Sequence, residues 1–569
     1  MKKYSFVLSA IILALGGFFA KAIGALYKIP LTNILGSSGM GLYYLIFPIY
    51  SLIITICSSG LAISLATNVS RCRKVRNRYN EQKLLRVALL LGFCVSLLSA
   101  ITIIIIAKPI SEFQGNINAY KGYIAISPAI IISTLIAILR GYFQGVENMV
   151  PTTISLIVEQ IVKLSVGLVL AHYLCKYGIQ YAVLGAIIGV SISEVVALII
   201  ISINFFTYKG QLYYNYRNLN YRSKKSKKIL PILKTIKIMN IGKCNNINKY
   251  FYCNSKTIRY TNMVAIKKLL AVSLPSMLAS IIIPISSMLD SFMIINLLMS
   301  SGYSSLISTS LYGLWGGVVQ TLLSLPTIIV SAIATSLIPS LSGLVVQNDT
   351  NEIRNKIAFY IKLTWVLALL MFVFVFVFAE DILVFLYGDG LNRDVIDELF
   401  YATKMLKISS ISIIYYAFLQ TFTSIMQAIG KSFVPVIGLG IGVVIRTILI
   451  RVLVSNIAIN IFGAIIANIL FLSIATVVIV YILKYYIDIR YYLYRQLISP
   501  LIVTGVVMIG MIFVRWAMNE VANYFVSMVV TALLGGIIFV IWIYFSKVFT
   551  PKEKKTLNFR KKSFRRLNS

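Results

Sequence analysis

The stretch SFVLSAIILALGGFFAKAIGALYKIPL, residues 5–31, decides the fold. It is apolar for longer than the roughly 20 residues that a helix needs to cross a hydrocarbon core, yet it carries Lys21 and Lys28. An ammonium at the centre of a membrane helix costs about 2.5–3.5 kcal/mol on insertion scales, so its presence there asks for a function. Gly24 stands between the two lysines, and spacings of three, four and seven put all three residues on one helix face. The product is a cationic stripe beside a small residue, suited to meeting an anion inside a membrane protein.

Composition extends this reading to the whole chain. Over 569 residues it is 59% hydrophobic and 12% charged, with a mean hydropathy of +0.88. Repeated apolar runs of 20 or more residues imply an all-α polytopic membrane protein. The first run is too long for a signal-peptide core and has no small-residue cleavage site after it, so it is expected to be a true span. The net charge of +36 gathers in alternating loops. It therefore reads as topogenic charge lying on anionic lipids, with no nucleic acid as partner. Six scattered cysteines without a CxxC and a single histidine, His172, predict no metal site. With no Walker motif and no plausible catalytic triad, an enzyme is not expected.

Hydropathy predicts fourteen spans. Six lie at 5–31, 42–66, 84–106, 123–142, 152–172 and 181–206. Six more lie at 269–298, 311–338, 357–378, 405–428, 433–454 and 461–483, and the last two at 497–514 and 521–545. This divides the chain into an N-terminal six-helix lobe (1–207), a basic loop (208–263), a C-terminal six-helix lobe (264–484), two peripheral helices (485–548) and a basic tail (549–569). The loops after the second and sixth spans and the tail are rich in Lys and Arg, whereas the loop after the ninth span holds Glu380, Asp381, Asp389, Asp394, Asp397 and Glu398. The positive-inside rule then puts both termini in the cytoplasm. Gly41-Leu42-Tyr43 and Gly313-Leu314-Trp315 open corresponding spans. In the same register Ala62, Ser64, Leu65 and Ser70 meet Ala334, Ser336, Leu337 and Ser342, which fits parallel repeats about an axis along the membrane normal.

Intramembrane polar residues and helix breakers are the remaining candidates. Lys21 lies roughly 27 Å beyond Lys3 by helical rise, past the bilayer midplane; snorkelling is the alternative for it and for Lys28. Glu159 and Lys163 are four apart and can pair on one helix face. Arg140 reads either as an interfacial anchor or as a cavity group, and Gln160 and Glu194 as cavity polar groups, Glu194 set against a basic residue. Asp290 follows Pro275 and Pro284, which leave backbone groups unsatisfied. It reads either as a site for a coupling cation or proton or as a counter-ion for a first-span lysine. Arg446 and Arg451 read as interface anchors. Gly24, Pro30, Pro275 and Pro284 are the expected hinges.

The stretches GALYKIPLTNILG (24–36) and GMGLY (39–43) resemble the opening of the stage V sporulation protein B family of polysaccharide-biosynthesis membrane proteins. RGYFQG (140–145) with Glu159-Gln160 resembles a second signature of that family. The family is similar to the MurJ-type lipid II flippases, in a superfamily that also holds the multidrug and toxin extruders. The resemblance implies two six-helix lobes around a central cavity. It implies a polyprenyl-diphosphate-linked sugar, most readily the peptidoglycan precursor lipid II, as substrate, with cell-wall or spore-cortex synthesis enzymes as partners. Lys21 and Lys28, with Arg140, would then face the diphosphate. MurJ-type proteins have arginines where this chain has lysines, so the anion would be met by point charges rather than bidentate forks. Two other readings stand beside this one: a cation-coupled multidrug antiporter of the same superfamily, and a non-transporting scaffold acting through the basic loop.

Overall fold

The computed structural model describes residues 6–75, 77–226, 259–347, 350–388, 391, 397–487, 493–518, 524–545 and 548. All regular structure among them is helical, as expected where no water is present to satisfy open backbone groups. The elements of the N-terminal lobe are α1 (Phe6–Ile54), continued through a π turn into α2 (Gly60–Lys74), then α3 (Arg78–Phe113), α4 (Tyr120–Gly145), α5 (Val150–Cys175) and α6 (Ile179–Ser226). The C-terminal lobe opens with α7 (Asn262–Ser280), α8 (Ile282–Ser300) and α9 (Ser305–Gly313), which passes through a second π turn into α10 (Gln320–Gln347). It continues with α11 (Thr350–Val377), α12 (Ala379–Tyr387), α13 (Glu398–Ser409), α14 (Ile411–Ala428), α15 (Phe433–Val454) and α16 (Phe462–Leu483). The peripheral pair is α17 (Leu493–Met518) and α18 (Tyr524–Phe545).

Fourteen helical stretches among the described residues are long and apolar enough to cross a membrane. They do not map one to one onto the predicted spans. At 1.5 Å per residue a straight α1 would run about 74 Å, more than twice a hydrocarbon core. It folds instead at Gly36, whose φ of 65° and ψ of −177° belong to a region open essentially to glycine alone. The fold brings Lys28 Nζ within 2.6 Å of Tyr44 Oη, sixteen residues on. The break in α1 is therefore at Gly36. Pro30 sits inside the helix, and Gly24 is a packing site, where a Cβ would stand 2.8 Å from Gln160 Oε1. Conversely, the predicted span 269–298 is two helices. They part at Ile281, where Pro284 cannot donate to the Ser280 carbonyl; Pro275 lies within α7. The predicted loop at 208–263 begins as helix, since α6 continues to Ser226. Residues 227–258 and the tail 549–569 lie outside the described residues.

The lobes cross with near two-fold symmetry. A Cβ on Gly41 would overlap the Thr309 carbonyl oxygen, and a Cβ on Gly313 would overlap that of Ser37. Ser37 and Thr309 correspond in the same register as the two glycines. Around this crossing Ser37 Oγ donates to Glu398, Asn33 Nδ2 to the Leu386 carbonyl at 2.9 Å, and Asn116 Nδ2 to Thr309 Oγ1 at 3.1 Å. At the opposite end α2 meets α7. Ser64 Oγ donates to the Leu269 carbonyl at 2.7 Å, and a Cβ on Gly60 would overlap the Ser273 carbonyl oxygen. The largest buried cluster runs through the crossing, from Leu31, Met40 and Tyr43 to Leu311, Trp315 and Val318.

The acidic segment after the ninth span is partly helix. Arg515 of α17 donates to the Val377 carbonyl at 2.7 Å and to Asp381 Oδ1 at 2.9 Å, holding the peripheral pair against α11 and α12. Asp389 and Asp394 lie outside the described residues.

Gly313→Leu is expected to prop the lobes apart at the crossing. Thr309→Cys, in a background free of native cysteines, should then react with a membrane-impermeant maleimide that does not label it when Gly313 is intact.

Candidate functional site

The N-terminal lobe carries a cluster of charged side chains on α1, α4, α5 and α6. Lys28, from the first arm of α1, donates to Tyr44 Oη at 2.6 Å and lies 5.1 Å from the ring centroid. Tyr44 Oη in turn lies 3.5 Å from Thr321 Oγ1 of α10, so this lysine stands at the seam between the lobes. Lys21 is exposed, and no described residue pairs with its ammonium.

Helix α5 supplies the next layer. Glu159 Oε2 is paired with Arg140 Nη2 of α4 at 2.7 Å. The same Nη2 donates to Ser155 Oγ at 2.7 Å, and Gln160 Nε2 donates to Glu159 Oε1 at 3.2 Å. Glu159 thus reaches across to Arg140, whereas the four-residue spacing suggested Lys163. The Arg140 guanidinium is taken up by Ser155 and Glu159. Lys163 lies instead over two aromatic faces, 5.4 Å from the Tyr27 ring and 5.1 Å from the Phe47 ring. Cation–π attraction of this kind grows when the charge is desolvated. Lys28, Glu159 and Glu194 are the charges that act on Lys163.

Glu194 of α6 is buried and accepts a hydrogen bond from Tyr50 Oη. Its other carboxyl oxygen, Oε2, has no partner among the described residues. Ser133 Oγ lies 3.3 Å from the same phenol oxygen. The direct partner of Glu194 is a tyrosine rather than the base expected there.

In the C-terminal lobe Asp290 is neutralised within the protein. Arg446 Nη2 of α15 lies 2.6 Å from Asp290 Oδ2, and its Nη1 donates to Ser286 Oγ at 2.7 Å. Arg446 is 7% exposed, so it is a core residue and not an interface anchor. The counter-ion of Asp290 is this arginine and not a first-span lysine. Arg451 is exposed.

Several of these roles had no local signal. Tyr50 and Phe47 act across helices and Tyr44 across the break at Gly36, and only the folded chain brings them to Glu194, Lys163 and Lys28.

Residues 6–239 and 242–395 match two family models, each described as polysaccharide biosynthesis protein. The chain belongs to the polysaccharide biosynthesis family. It is similar to stage V sporulation protein B of Bacillus subtilis (strain 168), at 23% identity over 468 residues, 82% of this chain and 81% of that one. A shorter stretch of 155 residues, 26% of this chain and 28% of the relative, is 23% identical to lipid II flippase MurJ of the same organism. Among solved structures, lipid II flippase MurJ in an inward closed conformation superposes with a TM-score of 0.65 at 14% identity, over 95% of this chain and 99% of that one. An inward-facing multidrug resistance MATE family transporter of the MOP superfamily gives 0.62 at 13% identity, over 80% and 92%. The fold is that of these MOP-superfamily transporters, and the chain is a multi-pass membrane protein.

Removing one partner of a buried ion pair leaves the other charge stranded. Asp290→Asn is expected to destabilise the protein by about 3–5 kcal/mol, and Asp290→Leu with Arg446→Met to recover most of that loss. Thermal unfolding of the purified protein in detergent measures both.

Proposed function

We propose that this chain moves a polyprenyl-diphosphate-linked oligosaccharide, best matched by a lipid II-type peptidoglycan precursor, from the inner to the outer leaflet by alternating access. The observation that carries this reading is the juxtaposition of a cationic wall with an apolar groove. A groove of about 520 Å³ runs between the lobes, lined by Phe18 and Ala22 of α1, Leu325 and Ile329 of α10, Phe374 of α11 and Met528 of α18. Phe18 and Ala22 flank the exposed Lys21 on the same helix. The groove shares Pro326 and Phe374 with a second apolar cavity of about 310 Å³, which reaches Val507, Met511 and Phe539 of the peripheral pair. A ligand with an anionic head and a long apolar tail fits both features at once. The head would meet Lys21, Lys28 and Lys163, and the tail would lie along the groove.

The steps follow from the same residues. The end bearing Arg71, Arg73 and Lys74 faces the cytoplasm by the positive-inside rule, with the termini on that side. The diphosphate is drawn in by ammonium groups, which bind as compact charges without a fixed fork. The lobes then rock about the breaks at Gly36 and Ile281. Because Arg446 already neutralises Asp290, coupling to a proton or cation falls to Glu194, whose Oε2 is unpartnered among the described residues. A multidrug antiporter is supported less well, since cationic drugs would meet three lysines.

Expression in a bacterium depleted of its own lipid II flippase tests the proposal. Rescue of growth and of outer-leaflet lipid II is expected. Lys21→Ala should return outer-leaflet lipid II to the depleted level without lowering membrane abundance. Transport that survives Lys21→Ala unchanged removes the cationic wall from the mechanism.

A further inference from the structure

A second charged feature lies away from the lobe seam, at the start of α3. Arg78, Gln82 and Arg86 follow one another at four-residue steps, so they share one face of the helix. Arg78, Glu81, Gln82, Arg86, Leu89 and Phe205 line a crevice of about 140 Å³ between α3 and α6, with Leu85 and Tyr142 completing it. Arg78 and Arg86 are both exposed, and neither has an ion-pair or hydrogen-bond partner among the described residues. Arg86 stands about 12 Å further along the helix than Arg78 by rise, inside the predicted span 84–106. It lies only two residues inside that span, near the head-group boundary, where a guanidinium can meet a lipid phosphate.

The acid that lines the crevice does not serve. Glu81 is buried, accepts from Tyr142 Oη at 2.7 Å and lies 3.8 Å from Arg73 Nε. Arg73 is itself tied down, donating to the Val146 carbonyl at 2.7 Å and to Tyr208 Oη. The carboxylate of Glu81 is thus spent on the floor of the crevice, and the two outer arginines keep a cationic excess. Beyond them the walls turn apolar at Leu89 and Phe205, and exposed Leu90, Phe93 and Leu97 carry the apolar face further along α3.

We propose that this crevice binds the phosphodiester of an anionic diacyl phospholipid, held between Arg78 and Arg86, with its acyl chain along Leu89, Phe205 and the outer face of α3. The occupant is chosen by charge complementarity at the mouth and by the passage from cationic to apolar lining within two to three helical turns. The site is distinct from the lysine wall, so it stands whether or not the carried substrate is a polyprenyl diphosphate. It also joins the ends of α2, α3, α4 and α6 through the Arg73–Glu81–Tyr142–Tyr208 network. Asn80 next to it accepts from the Tyr260 backbone at 2.9 Å, where the chain enters the second lobe.

Native mass spectrometry of the purified full chain with phosphatidylglycerol and phosphatidylcholine tests the site. The wild-type protein is expected to retain phosphatidylglycerol in preference to phosphatidylcholine. Arg78→Gln with Arg86→Gln should weaken the tightest equivalent by about tenfold or more. Lys224→Gln with Lys225→Gln, which removes the same charge from the basic segment, should leave it unchanged. Leu89→Trp, which fills the crevice and keeps both arginines, should abolish the same equivalent. Retention of that lipid by the double arginine variant overturns the proposal, as does equal retention of phosphatidylcholine by the wild type. Displacement of the lipid by glycerol 3-phosphate at equal concentration shows a free phosphate site and overturns the lipid assignment.

Discussion

A charge in hydrocarbon must find a partner, and that constraint organises this molecule. Each paired guanidinium ties together helices that hydropathy alone would leave free to slide: Arg140 joins α4 to α5, Arg446 joins α15 to α8, and Arg515 joins α17 to α12. Directional pairing matters more here than in water, because between lipid-facing helices burial of apolar surface supplies little attraction. The charges left over are then conspicuous. Lys21 is exposed, Lys28 rests on a phenol, and Lys163 rests on two aromatic faces. These three are held near the lobe seam without a carboxylate of their own.

The spans were legible in the sequence because each is a long apolar run, and the lysines because they violate such runs. The segment 32–41 was less legible. Its Thr32, Asn33, Ser37 and Ser38 look like a loop, yet the chain there is helical on both sides of Gly36. The polar side chains are absorbed by backbone and by the other lobe: Thr32 Oγ1 donates to the Lys28 carbonyl at 2.8 Å, Asn33 to α12, and Ser37 to α13. Partner choice was not legible at all. A four-residue spacing joined Glu159 to Lys163, but Arg140 approaches from another helix. The separation of 156 residues between Asp290 and Arg446 gives no local pattern to read. Proline and glycine marked where helices can break without saying which breaks are used.

The two lobes are related by a near two-fold axis, but their contacts are not symmetric. The crossing of α1 with α9 is tight in both directions, and α2 closes on α7. The pairing that symmetry would set opposite, the first arm of α1 with α10, is opened by the apolar groove at Phe18 and Ala22, although Tyr44 of the second arm still meets Thr321. The side chains along that opening are apolar throughout. The same asymmetry brings the peripheral pair into the architecture, since α17 and α18 extend the groove outward, and Arg515 fixes them there.

The Asp290–Arg446 pair also has a history in time. At a synthesis rate of about 5–20 residues per second, the 156 residues between its members take roughly 8–30 s to emerge. Through that interval α8 is made and delivered to the bilayer with an acid whose guanidinium does not yet exist. Until α15 arrives, the ion pair that joins it to α8 cannot close. The second lobe is therefore sealed late, and its assembly order is written into the distance between one aspartate and one arginine.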